Sequence, residues 1–369
     1  MPFGSEGVQP GIGLALSGGG FRATLFHIGS CWRLIELGIL PHLTRVSSVS
    51  GGSIFAGVLA TKWEALNREF TIASYLTLIV EPLRQFCSLD IDSVAIGEGL
   101  LTPWKTISAV IESKYHERLF DINLSQTPNS PAFIFNATNL QTGRSFRFSK
   151  AYMGDYRIGL IRNPTLPLAK VVAASSAFPP FLSPVILDNP GQFEAVKGAD
   201  LNDDPAYTRR LYLSDGGVYD NLGLETVWNR YQTMLVSDAG APFGIGDKVE
   251  TDWVKQTLRA LDVATDQSRG LRKRALIDDF KRNVRSGTYW GIDTQIANYK
   301  LPSAMACKDE IVKPLAKIRT RLNPFTDIEQ EQLINWGYAL CDAAVRTHVP
   351  HLMNCQTPPQ WPYPSRPLG

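Results

Sequence analysis

Cysteine is scarce and follows no pattern. Cys31, Cys87, Cys307, Cys341 and Cys355 form no CxxC pair and are odd in number, which argues against both a zinc site and a secreted disulfide framework. Reduced thiols in a cytoplasmic protein are the expectation. Long apolar runs are missing as well: stretches such as "IFAGVLA" fall far short of the roughly 18–20 residues a membrane-spanning helix needs. The opening "MPFGSEGVQPG" places no basic stretch before an apolar core, so no signal peptide is expected. Neither sign of charge dominates, with 37 Lys and Arg against 35 Asp and Glu, and so even a balance does not mark a nucleic-acid partner. Histidine, the usual base of a serine hydrolase, occurs only as His27, His42, His116, His348 and His351, none at a convincing strand end. No His, Cys or carboxylate cluster has metal-ligand spacing, so no metal and no cofactor is expected.

Hydrophobic residues make up 44% of 369, enough for one large core. The N-terminal third sets the fold class. "GIGLAL" reads as a strand, "SGGGFR" as a glycine loop, and "ATLFHIGSCWRLIELG" as a helix with apolar spacing near 3.6 that stops at Gly38. A second strand, "LTRVSSVS", then runs into a helix that starts directly after Ser50. Strand, turn and helix repeated in this way predict an α/β fold with a mainly parallel central sheet.

From Trp63 to Phe120 the pattern is helical and suits a cap insertion over about residues 61–125. "AFIFNATNL" and "SFRFS" restore strands, and "LYLSDGGVYDN" and "TMLVSDAGAPF" give two further strand-to-turn steps. Beyond residue 240 a helical extension over 241–350 is expected, with a capping box at Thr326 and Glu329. The prolines of "QTPPQWPYPSRPLG" suit an extended tail over 356–369 rather than a packed element.

Acyl transfer requires a proud nucleophile, a base and donors for the oxyanion. Ser50 sits in Ser48-Val49-Ser50-Gly51-Gly52, close to GxSxG, whose small flanking residues allow a tight strand-to-helix turn. Ser48 departs from the usual glycine. The three glycines of "SGGGFR" bring backbone N–H groups to a helix start, an anion-binding arrangement, and without GK[ST] or a downstream acidic strand end they do not complete a nucleotide fingerprint. For the base, Asp215 in "LYLSDGG" ends a strand before two glycines. His27 falls inside the first helix, where a packed role is expected. A Ser-Asp dyad is the mechanism these residues suggest.

Together the residues resemble the patatin-like phospholipases, also called patatin-like lipid acyl hydrolases. "SGGGFR", the serine elbow at Ser50, "ASSAFPPFLSPV" and "SDGGVYDNLG" match four motifs of that family in its order and cover roughly residues 10–240. The resemblance implies a three-layer α/β/α catalytic domain that hydrolyses ester bonds of phospholipids or related acyl lipids through an acyl-enzyme. It makes Ser50 the nucleophile, Asp215 the base, and the amides of Gly18, Gly19 and Gly20 the oxyanion hole, with Arg22, Gly52 and Gly216 in support. A membrane or micellar lipid is the implied substrate, and peripheral membrane contact and an activator partner stay open. So do two other readings: a lipase effector switched on by a nucleotide or protein partner, and a non-enzymatic lipid-binding protein.

Two further stretches invite a role. Seven basic residues between Arg269 and Arg285, with Tyr289 and Trp290 following, read either as a solvated helix face or as a patch for anionic headgroups. Leu76, Ile79, Leu83, Leu100 and Trp104 read as core or as an acyl-chain groove.

Overall fold

The computed structural model describes residues 7–93, 95, 97, 107–180, 182–245, 249 and 251–369. Its frame is a ten-stranded sheet in the order β10-β9-β1-β2-β3-β4-β5-β6, with β8 also on β3 and β7 on β8. The strands β1 (Gln9–Leu16), β2 (Leu43–Val49), β3 (Ala132–Asn139), β9 (Tyr231–Asp238) and β10 (Ser286–Gly291) pair in parallel. Parallel neighbours need a crossover, and α1 (Gly20–Glu36) and α2 (Gly51–Leu66) provide the first two. Past β3 the connections shorten to turns, so β4 (Arg144–Phe148), β5 (Tyr152–Asp155) and β6 (Gly159–Arg162) add on antiparallel. The sheet is therefore mixed: the expected parallel order holds in its first half, and hairpins extend it.

Side chains alternate across this sheet as strand geometry dictates. Leu14 and Leu16 of β1 face the larger core, shared with Leu235 and Trp290, while Ala15 joins Met234, Val236 and Tyr289 on the other face. The larger core is covered by α1, which is buried along nearly its whole length, and by α8 (Asp327–His348). Glycine lets these two helices touch backbone to backbone. A β-carbon at Gly29 would stand 1.8 Å from the Ile334 carbonyl oxygen, and one at Gly337 2.0 Å from that of Phe26. The Thr326–Glu329 capping box starts α8 as expected.

Between α2 and residue 118 the described chain is mostly helical, including α3 (Glu81–Cys87) and α4 (Ile107–Arg118). Ile79 and Leu83 are wholly buried, so these two are core rather than an acyl groove; Leu100 and Trp104 lie outside the described residues. After β3 come α5 (Leu168–Ser175), β7 (Val185–Asp188) and β8 (Arg210–Asp215), and after β9 the 29-residue α6 (Trp253–Lys281) and, beyond β10, α7 (Asp309–Lys317).

The C-terminal region departs from an all-helical extension in one element. Ser286–Gly291 joins the sheet as β10, which buries Trp290 completely and leaves Tyr289 7% exposed. Neither ring is free to meet a lipid interface. The proline-rich tail lacks regular structure but is packed: Asn335 donates to the Tyr363 and Arg366 carbonyls, and Leu368 is buried. Proline removes donors without preventing carbonyls from accepting, so a tail can be anchored through its C=O groups. Among the described residues no helix is long and apolar enough to cross a membrane.

Candidate active site

The carboxyl ends of β1, β2, β8 and β9 converge on one cleft of about 410 Å³. Gly19, Gly20, Ser50 and Asp215 all line it, with Asn221, Phe178 and a row of side chains from α6.

Ser50 stands between β2 and α2 with φ 52 and ψ −120. A non-glycine residue rarely holds a positive φ, and strain of this kind concentrates where a side chain must be presented. The elbow is held from below, because the Ser50 amide donates to the Ser175 carbonyl at 3.2 Å. Close packing makes it compact: a β-carbon on Gly52 would meet the Leu16 and Ser17 carbonyl oxygens, each at 2.6 Å. The neighbouring hydroxyls are engaged elsewhere. Ser47 donates to the Gly223 carbonyl, and Ser53 bonds Ser48 and Ser175 in the interior. Ser50 is the serine of this stretch that lines the cleft.

Asp215 ends β8. Its backbone is pinned by the Ala177 carbonyl and the Thr138 hydroxyl, and the Gly217 N–H donates to Oδ1 at 2.6 Å. Ser50 and Asp215 line the same cleft, and the Ser50 side chain favours the ionised form of this carboxyl. Burial pushes the Asp215 pKa up to about 6, against the pull of the Ser50 side chain and the Gly217 N–H. Gly216 lets the turn pass close to β3, since a β-carbon there would lie 2.4 Å from the Asn136 carbonyl oxygen.

The glycine loop differs from expectation at one position. The Gly18 N–H donates to the Asn221 carbonyl at 3.0 Å, so this amide is committed, and Gly19 and Gly20 are the members that line the cleft. Arg22 is buried below the loop. It donates twice to the Ala239 carbonyl and also to the carbonyls of Ala316 and Ile318, tying the end of β9 and the C-terminal region to the start of α1. Burial lowers its pKa to about 10, with Asp238 opposing the fall. His27 is packed, as expected: its ring bonds Ser237 and the Ser17 carbonyl, and burial lowers it to about 4.

Asp238 matches Asp215 in sequence context but not in surroundings. It accepts the Tyr289 hydroxyl at 2.7 Å and the Gly240 N–H at 2.8 Å, with Arg269 3.8 Å away. Burial alone would raise its carboxyl, but Arg269 first, then Tyr289 and Gly240, hold it below the ordinary range. Asp238→Asn is expected to leave Arg269 only the more distant Asp266, 3.9 Å away, and the Tyr289 hydroxyl without its anionic acceptor, and to cost about 1–3 kcal/mol in a urea unfolding titration. Turnover of a soluble ester by the folded variant should stay within a few-fold of the parent.

Sequence reasoning did not reach the far bank of the cleft. Arg259, Asp262, Thr265, Asp266 and Arg269 line it from one face of α6, and their spacing of three and four residues is the available signal. Asn221 lines it too, directly after Asp220, whose carboxylate fixes the turn through the Leu222, Leu224 and Glu225 N–H groups. Among the described residues no three His, Cys, Asp or Glu side chains come together as metal ligands would.

A strained serine on a strand-to-helix elbow and a buried carboxyl share one cleft above a mixed sheet between helices, an α/β/α scaffold. The sequence profile of the patatin-like phospholipases matches residues 14–228, and the chain belongs to that family. Among solved structures, human GIVD cytosolic phospholipase A2 in complex with methyl gamma-linolenyl fluorophosphonate and terbium chloride is similar, with TM-score 0.51 and 17% identity over 90% of this chain and 57% of that one. The same human enzyme with methyl gamma-linolenyl fluorophosphonate alone gives TM-score 0.51 at 16% identity. VipD from Legionella pneumophila also matches, with TM-score 0.37 and 14% identity over 92% of this chain and 67% of that one. The chain thus spans little more than half the length of the human enzyme, and the likeness to it is one of fold. No curated protein matches the chain.

Proposed function

We propose that this protein is a lipid acyl hydrolase that works through a Ser50–Asp215 dyad. The observation that carries the reading is a serine held at positive φ that shares one cleft with a buried carboxyl at a strand end. Asp215 takes the Ser50 proton as Oγ attacks an ester carbonyl. The Gly19 and Gly20 amides, at the positive end of α1, receive the oxyanion; the alcohol leaves with the proton, and water activated by Asp215 releases the fatty acid. Phospholipids or related acyl lipids presented by a membrane or micelle are the proposed substrates, and the cytoplasm the proposed compartment. The same reading takes residues 10–240 as the catalytic unit and 241–350 as an extension packed on it, bringing α6 over the cleft.

A fluorophosphonate probe tests the nucleophile. It should label Ser50, seen by peptide mass spectrometry, and labelling should vanish in Ser50→Ala; adduct on Ser47 or Ser53 would overturn the assignment. The base makes a separate prediction about pH. Asp215 must be ionised to accept a proton, so kcat/KM on a soluble ester should fall about tenfold per pH unit below pH ~6 and level off above ~7. A flat profile down to pH 5 would remove Asp215 from the mechanism.

A further inference from the structure

The basic segment 269–285 is not uniform. Arg269 and Arg272 turn inward to Asp238 and Asp220, Lys273 lies over the Tyr289 ring, and Arg282 pairs with Asp278 at 3.0 Å. Lys281 and Arg285 instead line a second cavity of about 500 Å³. It lies where β9 and β10 begin, at the opposite end of the parallel strands from Asp238 and the catalytic cleft.

Three features of this cavity point to an anion. His348 and His351 join Lys281 and Arg285 in its wall, and among the described residues no carboxylate lines it, so none within it neutralises the two cations. One buried polar atom in the wall, Arg285 Nε, has no hydrogen-bond partner. An unpaired buried donor is costly, and an arriving oxygen acceptor would relieve it. Ile277, Phe280 and the Tyr289 ring supply an apolar side to the same space, which bare inorganic ions do not need.

We propose that this cavity is a second binding site, for an organic phosphate whose oxygens meet Lys281 and Arg285 and whose carbon portion rests on Ile277 and Phe280. The phosphate can come from a soluble ester or from the headgroup of a phosphate-monoester lipid. The site is independent of the dyad, so binding is measured in full-length Ser50→Ala protein, which cannot turn the ligand over.

Glycerol 3-phosphate is titrated by calorimetry, and vesicles of phosphatidylcholine with and without phosphatidic acid are tested by co-sedimentation. Saturable binding of glycerol 3-phosphate identifies a soluble ligand; binding only to phosphatidic acid vesicles identifies a headgroup. In either case Arg285→Gln and Lys281→Gln should each weaken binding at least about tenfold, the scale of a lost charge-assisted hydrogen bond. Arg282→Gln, an exposed residue outside the cavity, should leave it unchanged. Lys281 is itself exposed, so its variant reads the site even if Arg285→Gln folds poorly. Binding to neither ligand, or equal weakening by Arg282→Gln, overturns the proposal.

Discussion

Asp215→Asn should lower ester turnover by roughly 10⁴-fold, the scale of losing the carboxylate of a hydrolase relay, and at neutral pH it should make the protein more stable. The second effect follows from the raised pKa. Folding lifts the Asp215 carboxyl from an ordinary 3.8 to about 6, chiefly by burial. Between those two values the folded chain holds a proton that the unfolded chain has released, so stability falls as pH rises through this window and stays reduced above it. About two pH units correspond to roughly 3 kcal/mol. The amide keeps the shape and can still accept the Gly217 N–H, but it carries no charge to desolvate. Chemical unfolding at pH 8 should therefore show a gain of about 1–3 kcal/mol, shrinking toward zero near pH 4. A loss of stability at pH 8, or turnover within tenfold of the parent, would show that Asp215 has a structural role. Asp238→Asn should do the opposite on both counts, because that aspartate is held by Arg269 and Tyr289 rather than left facing a hydroxyl.

That Ser50 and Asp215 stand out as candidates in the sequence, while other features do not, has a physical basis. A nucleophile elbow is local: small residues around Ser50, an apolar strand before it and a helix after it are all within reach in sequence. Asp215 is local in the same sense, at the end of a strand and before glycines. The Gly18 amide is not, because its acceptor is the carbonyl of Asn221, which no property of the glycine loop predicts. β10 was hidden because it has only six residues, two of them glycine, and is a strand only by virtue of β9 beside it. The tail's anchoring depends on Asn335 of α8, and that contact likewise exists only in three dimensions. The division of the basic segment was just as invisible, since Asp220 and Asp238 decide which of its arginines turn inward.

The loop prediction is the sharper test of the oxyanion geometry. Gly19 has φ +143, and a β-carbon there would lie 2.8 Å from the Ala239 carbonyl oxygen, the same oxygen that accepts both hydrogen bonds from Arg22 to β9. Valine at this position is therefore strained twice, by its own backbone and by a contact with main chain that cannot swing aside. Relief requires the loop to back away from Ala239, and the Gly19 and Gly20 amides go with it. Removing one oxyanion donor typically costs about 2.7–4 kcal/mol in the barrier, roughly a hundred- to a thousand-fold in rate. Gly19→Val should show that loss in kcat on a soluble ester, with KM changed little, because a ground-state carbonyl needs these donors less than the tetrahedral intermediate does. Ser50 and Asp215 remain in place in this variant, so slow fluorophosphonate labelling should persist at Ser50 even as turnover collapses. Near-normal kcat in folded Gly19→Val protein would move the oxyanion donors elsewhere, with the Asn221 side chain in the cleft the next group to test.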